Sequence, residues 1–296
     1  MTNGRCFGRL AAAAVILLAT ALPGAADGVS QFEQKIRPQL PPNSFTYANA
    51  KALGDNGFVL EDVVVTPPAD ATGGAKAAPV AIKRVTVENF DFAGLDKRVP
   101  LFLKIRVEGI TVTGKPAAGV DLNKVAGIDQ VIADFALDYR VDPDRKTLTL
   151  YKLELDVGSL ARLELSLVLD GVRPDLADKP DAAMNDATLR TATLTFEDRS
   201  LLSKVVPAAA KLQGTDVDAI MKQAKTMLGG MRAGQSAATL AVFDALGSYL
   251  DDYKHPKGPL KITVNPPDKA SAAALSDIKS PDDAVKALGL VVTYGG

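Results

Sequence analysis

The feature that most constrains this chain is an apolar alternation of period two that recurs, segment after segment, from Val80 to Phe196. Successive side chains of a strand point to opposite faces, so each run of this kind predicts a strand with one buried face. Ile82, Val85, Val87, Phe90 and Phe92 are followed by Leu101, Leu103, Ile105 and Val107, then by Ile110 and Val112, with Gly109 marking a kink or bulge. The clearest run alternates Phe135, Leu137, Tyr139 and Val141 with Ala136, Asp138 and Arg140, and then meets Asp142, Pro143 and Asp144. Proline presets φ and aspartate side chains bond turn amides, so this is a hairpin turn into a strand carrying Leu148 and Leu150. That strand then changes parity, passing from Leu148 and Leu150 to Leu153, Leu155 and Val157. A bulge near Tyr151 and Lys152 restores a single buried face. Leu163, Leu165, Leu167 and Leu169 make a further strand after the Gly158, Ser159 turn, and Leu189 to Phe196 a threonine-rich one.

On either side of this block the pattern differs. Phe32 and Ile36, four apart, predict a short amphipathic helix within Val29–Leu40, and a second short helix is expected from Ser44 to Leu53. Gly57 to Thr66 opens the strand pattern with Val63 and Val65, Asp70 to Ala78 is a loop rich in Ala and Gly, and Val120 to Val131 is ambiguous, with room for a short helix. After Phe196 the period becomes helical. Asp198 or Ser200 is positioned to cap a helix through Leu201, Leu202 and Val205 to Leu212, in which Pro207 costs a backbone bond and should bend or divide it. Thr215, with Asp218 three residues on, begins a second helix with Val217, Ile220, Ala224, Met227 and Leu228 on one stripe, ended by Gly229 and Gly230. A third spans Ser236 to Asp251 with Leu240, Phe243, Leu246 and Leu250 in register. The tail returns to extended chain at Leu260, Ile262 and Val264, restarts a helix at Ser280, Pro281 and Asp283, and closes on an apolar strand from Leu290 to Tyr294.

These patterns predict an α+β fold with a largely antiparallel, curved sheet and carboxy-terminal helices packed on it. A terminal strand usually pairs into a sheet, so residues 27–296 are expected to form one unit, strand-rich over 57–197, helix-rich over 198–255 and mixed over 256–296.

The amino terminus has Arg5 and Arg9, an apolar run from Leu10 to Leu22, and then Pro23, Gly24, Ala25 and Ala26. That is the charged, apolar, small-residue order of a secretory signal, cleaved near Ala26, and its apolar run is shorter than the ~20 residues of a membrane-crossing helix. The expected location is the periplasm, with no transmembrane segment after cleavage. Cys6 is the only cysteine and precedes the apolar run, so the mature chain has no disulfide and no thiol chemistry. Losing Arg5 and Arg9 takes the 34 basic residues to 32 against 35 acidic ones, so the formal charge moves from −1 to −3. No run of Lys and Arg supplies the basic face that nucleic acid requires.

His255, the sole histidine, sits in a turn of Lys254, Pro256, Lys257, Gly258 and Pro259. Cys–His chemistry and histidine-rich zinc sites are thereby excluded, and a solvated loop histidine is the expected reading. Gly234, Gln235, Ser236, Ala237 and Ala238 imitate a nucleophile elbow, but a helix rather than a strand precedes them, which makes Ser236 a helix cap. Asp138, Asp142 and Asp144 lack the glycine and distal glutamate of a calcium loop and are explained by turn formation. With no Trp, about 5% aromatics and no glycine-rich strand-to-helix loop, the sequence carries neither sugar platforms nor a nucleotide cradle. No catalytic residue, metal or cofactor is expected.

The buried faces of the long strands suffice for core packing, but a curved sheet can also leave part of such a face as a groove for an acyl chain. Small residues at Ala208 to Ala210, Ala237, Ala238 and Ala272 to Ala274 would help hold it open, and the candidate lining is Met221, Met227, Leu228, Leu240 and Phe243. The stretch Val85 to Val112, with Val87-Glu88-Asn89-Phe90 and Ile105-Arg106-Val107-Glu108, and the later runs Asp138 to Pro143, Leu148 to Leu150 and Leu153 to Leu155 resemble the repetitive strands of bacterial AsmA-like envelope proteins. The strand-to-helix junction Thr195 to Leu201 is similar to that of uncharacterised exported bacterial proteins. AsmA-like proteins are typically longer and membrane-anchored, with roles in envelope lipid handling, and the resemblance implies no catalytic residue. The expected function is a non-enzymatic periplasmic envelope protein binding a lipid or other apolar ligand. The alternative is a structural component that offers a strand edge to an envelope protein partner.

Overall fold

The structure, a computed structural model, describes residues 27–66, 78–95, 99–113, 130–173, 187–268, 270–271 and 278–295. The segment expected to be a signal sequence, the loop expected from Asp70, most of the ambiguous stretch after Val120 and the Ala272 to Ala274 group lie outside the described residues. The strands are β1 (Phe45–Thr46), β2 (Asn49–Ala52), β3 (Phe58–Val65), β4 (Val80–Phe90), β5 (Phe102–Thr113), β6 (Gln130–Asp142), β7 (Thr147–Val157), β8 (Ala161–Asp170), β9 (Thr188–Asp198), β10 (Leu260–Val264), β11 (Ala270–Ser271) and β12 (Leu290–Tyr294). They form one 12-stranded sheet, antiparallel at every pairing, curved and unclosed, in the order β1-β3-β4-β5-β6-β7-β8-β9-β10-β12, with β2 also on β3 and β11 also on β9. The helices are α1 (Gly28–Gln31), which runs on into a π-helical turn over Phe32–Ile36, then α2 (Leu201–Gln213), α3 (Val217–Gly230), α4 (Ala237–Asp251) and α5 (Pro281–Leu288). A large antiparallel sheet with mostly carboxy-terminal helices fits the α+β expectation, with the sheet dominant.

Both expected irregularities are present. In the β6–β7 pairing Asp138 faces Lys152 and Tyr139 faces Leu150, which leaves Tyr151 as the extra residue that resets the parity. The β5–β6 register shifts between Val107 and Ile110, around Gly109 at φ 66°. That position is glycine for two reasons: the left-handed backbone, and a Cβ there would come within 2.8 Å of the Lys83 side chain. The turn after β6 is closed by Asp142, whose carboxylate accepts from the backbone N–H groups of Asp144 and Arg145.

The expected helix over Ser44–Leu53 is not formed; the segment supplies β1 and β2, paired along β3. Phe45 and Tyr47 are two apart, and both rings lie within 6.4 Å of Phe32, so burial of this alternation outweighs the local helical tendency. Helix α2 passes through Pro207 undivided, losing only the bond that a proline cannot donate to the Ser203 carbonyl. Its cap is Asp198 rather than Ser200: the carboxylate accepts from Leu201 N (2.6 Å) and Leu202 N (3.2 Å). Asp216, not Thr215, caps α3, because its side chain accepts from Ala219 N. Ser236 and Ser280 cap α4 and α5, and β12 pairs with β10, which continues the sheet from β9.

Candidate functional site

The two faces of the sheet divide by chemistry. Reading across the registers, one line of facing residues runs Phe58, Val87, Ile105, Leu137, Leu153, Leu165, Leu194, Ile262 and Val292, from β3 to β12. The neighbouring line on the same face runs Leu60, Val85, Val107, Phe135, Leu155, Leu163, Phe196, Leu260 and Tyr294. Between them a line of opposite facing runs Thr86, Arg106, Ala136, Glu154, Glu164, Thr195, Lys261 and Thr293. The period-two alternation of each strand therefore adds up, through register, to a wholly apolar face backed by a polar one.

The polar face is held by ion pairs. Glu154 accepts from Lys152 (2.7 Å) and Arg162 (2.6 Å). Burial alone would raise the Glu154 carboxyl, but these two cations hold it below the usual carboxylate range. Arg199 forks onto Glu197 and Asp156, whose carboxylates raise its already high pKa, and also donates to the Gly158 carbonyl (2.6 Å).

The apolar face is covered at its two ends. Over β3 and β4, Phe32 packs on Phe58 with ring centroids 4.9 Å apart and closes a core with Leu60, Val63, Val85, Val87 and Phe92. Over β10 and β12, Val242 and Tyr249 of α4 and Val285 of α5 bury Leu260 and Val292. A third cluster, Val141, Val172 and Ala187, closes one rim near the β6–β7 turn. There Asp91, buried, accepts from Gly94 N and Leu101 N, and Tyr139, whose pKa burial raises with a smaller push from Asp91, donates to the Pro100 carbonyl. In the middle, Phe135, Leu137, Leu153, Leu165 and Leu194 belong, among the described residues, to none of these three clusters, and Leu155 is 42% exposed. From β6 to β9 this strip, uncovered among the described residues, crosses three strand spacings, on the order of 15 Å.

A family model described as an uncharacterized protein matches residues 154–295. No curated protein matches the chain. The matched stretch starts inside β7 and runs through the junction into α2, all the carboxy-terminal helices and β12.

That junction is built around Asp198. Besides capping α2, its carboxylate receives the Tyr249 hydroxyl of α4 (3.1 Å), and the Leu160 carbonyl accepts from the N–H groups of Arg199, Ser200 and Leu201. Burial, then the adjacent Asp198 carboxylate, pushes the Tyr249 phenol well above its ordinary value. Asp198 thereby ties the end of β9 to the start of α2 and to α4. Ser236 likewise accepts from Thr239 N and donates to Asp282, and exposed His255 has its backbone N–H on the Asp252 carbonyl.

Of the five residues proposed to line a groove, Met221 and Phe243 are buried, Leu228 and Leu240 are half-buried, and Met227 is 68% exposed. Leu228 lies against Gly247, where a Cβ would sit 3.6 Å from its Cδ2, so α3 rests on α4 there. The strip left uncovered among the described residues lies elsewhere, on β6–β9. Its residues carried a clear sequence signal, the alternation itself, but the sequence does not say which part of an apolar face a helix will cover.

Proposed function

We propose that this protein is a non-enzymatic component of the bacterial cell envelope, working in the periplasm, that binds the acyl portion of a lipid or a similar apolar ligand on the open strip of its sheet. The observation that carries this reading is the contrast along a single line of side chains, buried at Phe58 and Val292 yet partly exposed through Leu137, Leu153, Leu165 and Leu194. Contiguous exposed apolar surface with a polar surround marks a binding surface. Each methylene laid on it contributes about 0.8 kcal/mol, so a long acyl chain has ample driving force without any fixed polar contact. The near-balanced charge and the signal-like amino terminus support an envelope role over a nucleic-acid one.

The test is native mass spectrometry with organic extraction of residues 27–296 purified without detergent. Stoichiometric co-purified lipid is expected, and Leu155→Asp and Leu165→Asp should each release it while the far-ultraviolet circular dichroism of the exposed Leu155 variant stays unchanged. A protein that is empty as purified and takes up no added phospholipid would overturn the proposal.

A further inference from the structure

The sheet has two edges, and they are finished differently. At one edge the outermost chain is split into β1 and β2, short strands on β3, with Lys51 in the second and α1 against it through the Gly28 N–H to Gly54 carbonyl bond (3.0 Å). Short strands, a lysine and a covering segment are how proteins blunt an edge against further pairing. At the other edge β12 is a single run of Leu290, Val291, Val292, Thr293 and Tyr294, with no charge, no proline and no bulge. Among the described residues no strand pairs with its outer side.

The outward groups follow from the register. Gly295 N–H bonds the Pro259 carbonyl, and antiparallel ladders alternate, so Thr293 and Val291 also turn their backbone groups to β10. Leu290, Val292 and Tyr294 therefore direct their N–H and C=O groups outward. Beside the first residues of this edge lies an open groove of about 630 Å³, lined in part by Ser236, Ala238, Val285, Lys286, Leu290 and Val291. Val291 is 54% exposed. Asp282 on the groove wall is occupied by Ser236 and Thr239, and the Asp283 carboxylate accepts from the Lys279 backbone N–H (3.4 Å), whereas exposed Lys286 enters no ion pair among the described residues.

We propose that the β12 edge is a strand-addition site for an extended segment of a partner protein, one whose alternate residues are apolar and which carries an acidic residue to meet Lys286. The backbone groups of Leu290, Val292 and Tyr294 supply the ladder, and the groove against α5 receives the alternate side chains. This site is separate from the apolar strip, from which the helices divide it, and stands whether or not the strip holds a lipid.

The experiment is amide hydrogen exchange on the mature protein, alone and with the capped peptide Glu-Val-Thr-Val-Thr-Val. In the free protein the amides of Val292 and Tyr294 should exchange faster than those of Val291 and Thr293. Saturating peptide should slow Val292 and Tyr294 by about tenfold or more. Replacing Glu in the peptide by Lys, or Lys286→Glu in the protein, should each weaken that protection, and the two changes together should restore it. Val291→Lys, at an exposed position, should abolish it with the fold retained. If Val292 and Tyr294 are already as protected as Val291 and Thr293 without peptide, or if the peptide changes nothing at millimolar concentration, the site does not exist.

Discussion

Replacing Asp198 by alanine should cost this protein far more than a usual carboxylate-to-alanine change, because one buried side chain serves three donors. Asp198 is 5% exposed and accepts from Leu201 N, Leu202 N and the Tyr249 hydroxyl. Losing the helix cap costs about 1 kcal/mol. The Tyr249 hydroxyl, on a residue 7% exposed, is then left without that partner, at about 1–3 kcal/mol. The sum is about 3 kcal/mol, against about 1 kcal/mol for Tyr249→Phe, which leaves the carboxylate with its two backbone donors. Urea unfolding at neutral pH, with slopes compared to confirm a two-state transition, measures each variant and the double variant Asp198→Ala/Tyr249→Phe. The double variant should be more stable than the two single costs predict, by about 1 kcal/mol or more, since phenylalanine removes the orphaned hydroxyl. An Asp198→Ala cost no larger than that of Tyr249→Phe, or strictly additive costs, would refute the reasoning. A pH titration adds an independent check. The folded Tyr249 phenol has a raised pKa, so its contribution is fully present below the unfolded value of about 10 and is lost as pH climbs through the folded one. Tyr249→Phe should flatten that alkaline limb.

Other outcomes follow from single residues. Gly289 joins α5 to β12 at φ 53°, and a Cβ there would fall 2.1 Å from the Asn265 carbonyl oxygen, so Gly289→Ala should destabilise by about 3 kcal/mol or more in the same urea assay. The Thr239 hydroxyl, then the Ser236 N–H, hold the Asp282 carboxyl below its ordinary value of 3.8; a depressed pKa gives stability that is present above the unfolded value and lost as pH falls through the folded one. Asp282→Asn should therefore flatten the acid limb of the stability curve below about pH 4, read from thermal melts. Met227→Lys, at a position 68% exposed, should shift stability by less than about 0.5 kcal/mol and leave any co-purified lipid in place.

Much of the sheet was legible because a strand's side-chain period is local. The parity change after Leu150 and the glycine at 109 marked two of the sheet's irregularities, and Asp142 with Pro143 marked the tight turn, since each of these is decided by a few adjacent residues, whereas the register shifts at Val87/Asn89 and Val168/Leu169 carried no such mark. The helix starts at Ser236 and Ser280 were legible for the same reason. The segment from Ser44 to Leu53 was not: its strands exist only because β3, reached through Gly57, offers a ladder and Phe32 offers a ring to pack on. Asp198 was legible as a possible cap, but its bond to Tyr249, 51 residues away, was not.

The sequence by itself determined the two-faced strands, the irregularities at Gly109 and Tyr151, the Asp142 turn and the caps at Ser236 and Ser280, because backbone sterics and side-chain period act over a handful of residues. Only the tertiary structure decided which stretch of the apolar face is sealed by Phe32 or by α4 and α5, which stretch across β6–β9 the described residues leave uncovered, and which edge has no neighbour among them. Those are matters of where distant segments come to rest, and an alternating strand reads the same whether a helix or a ligand covers it.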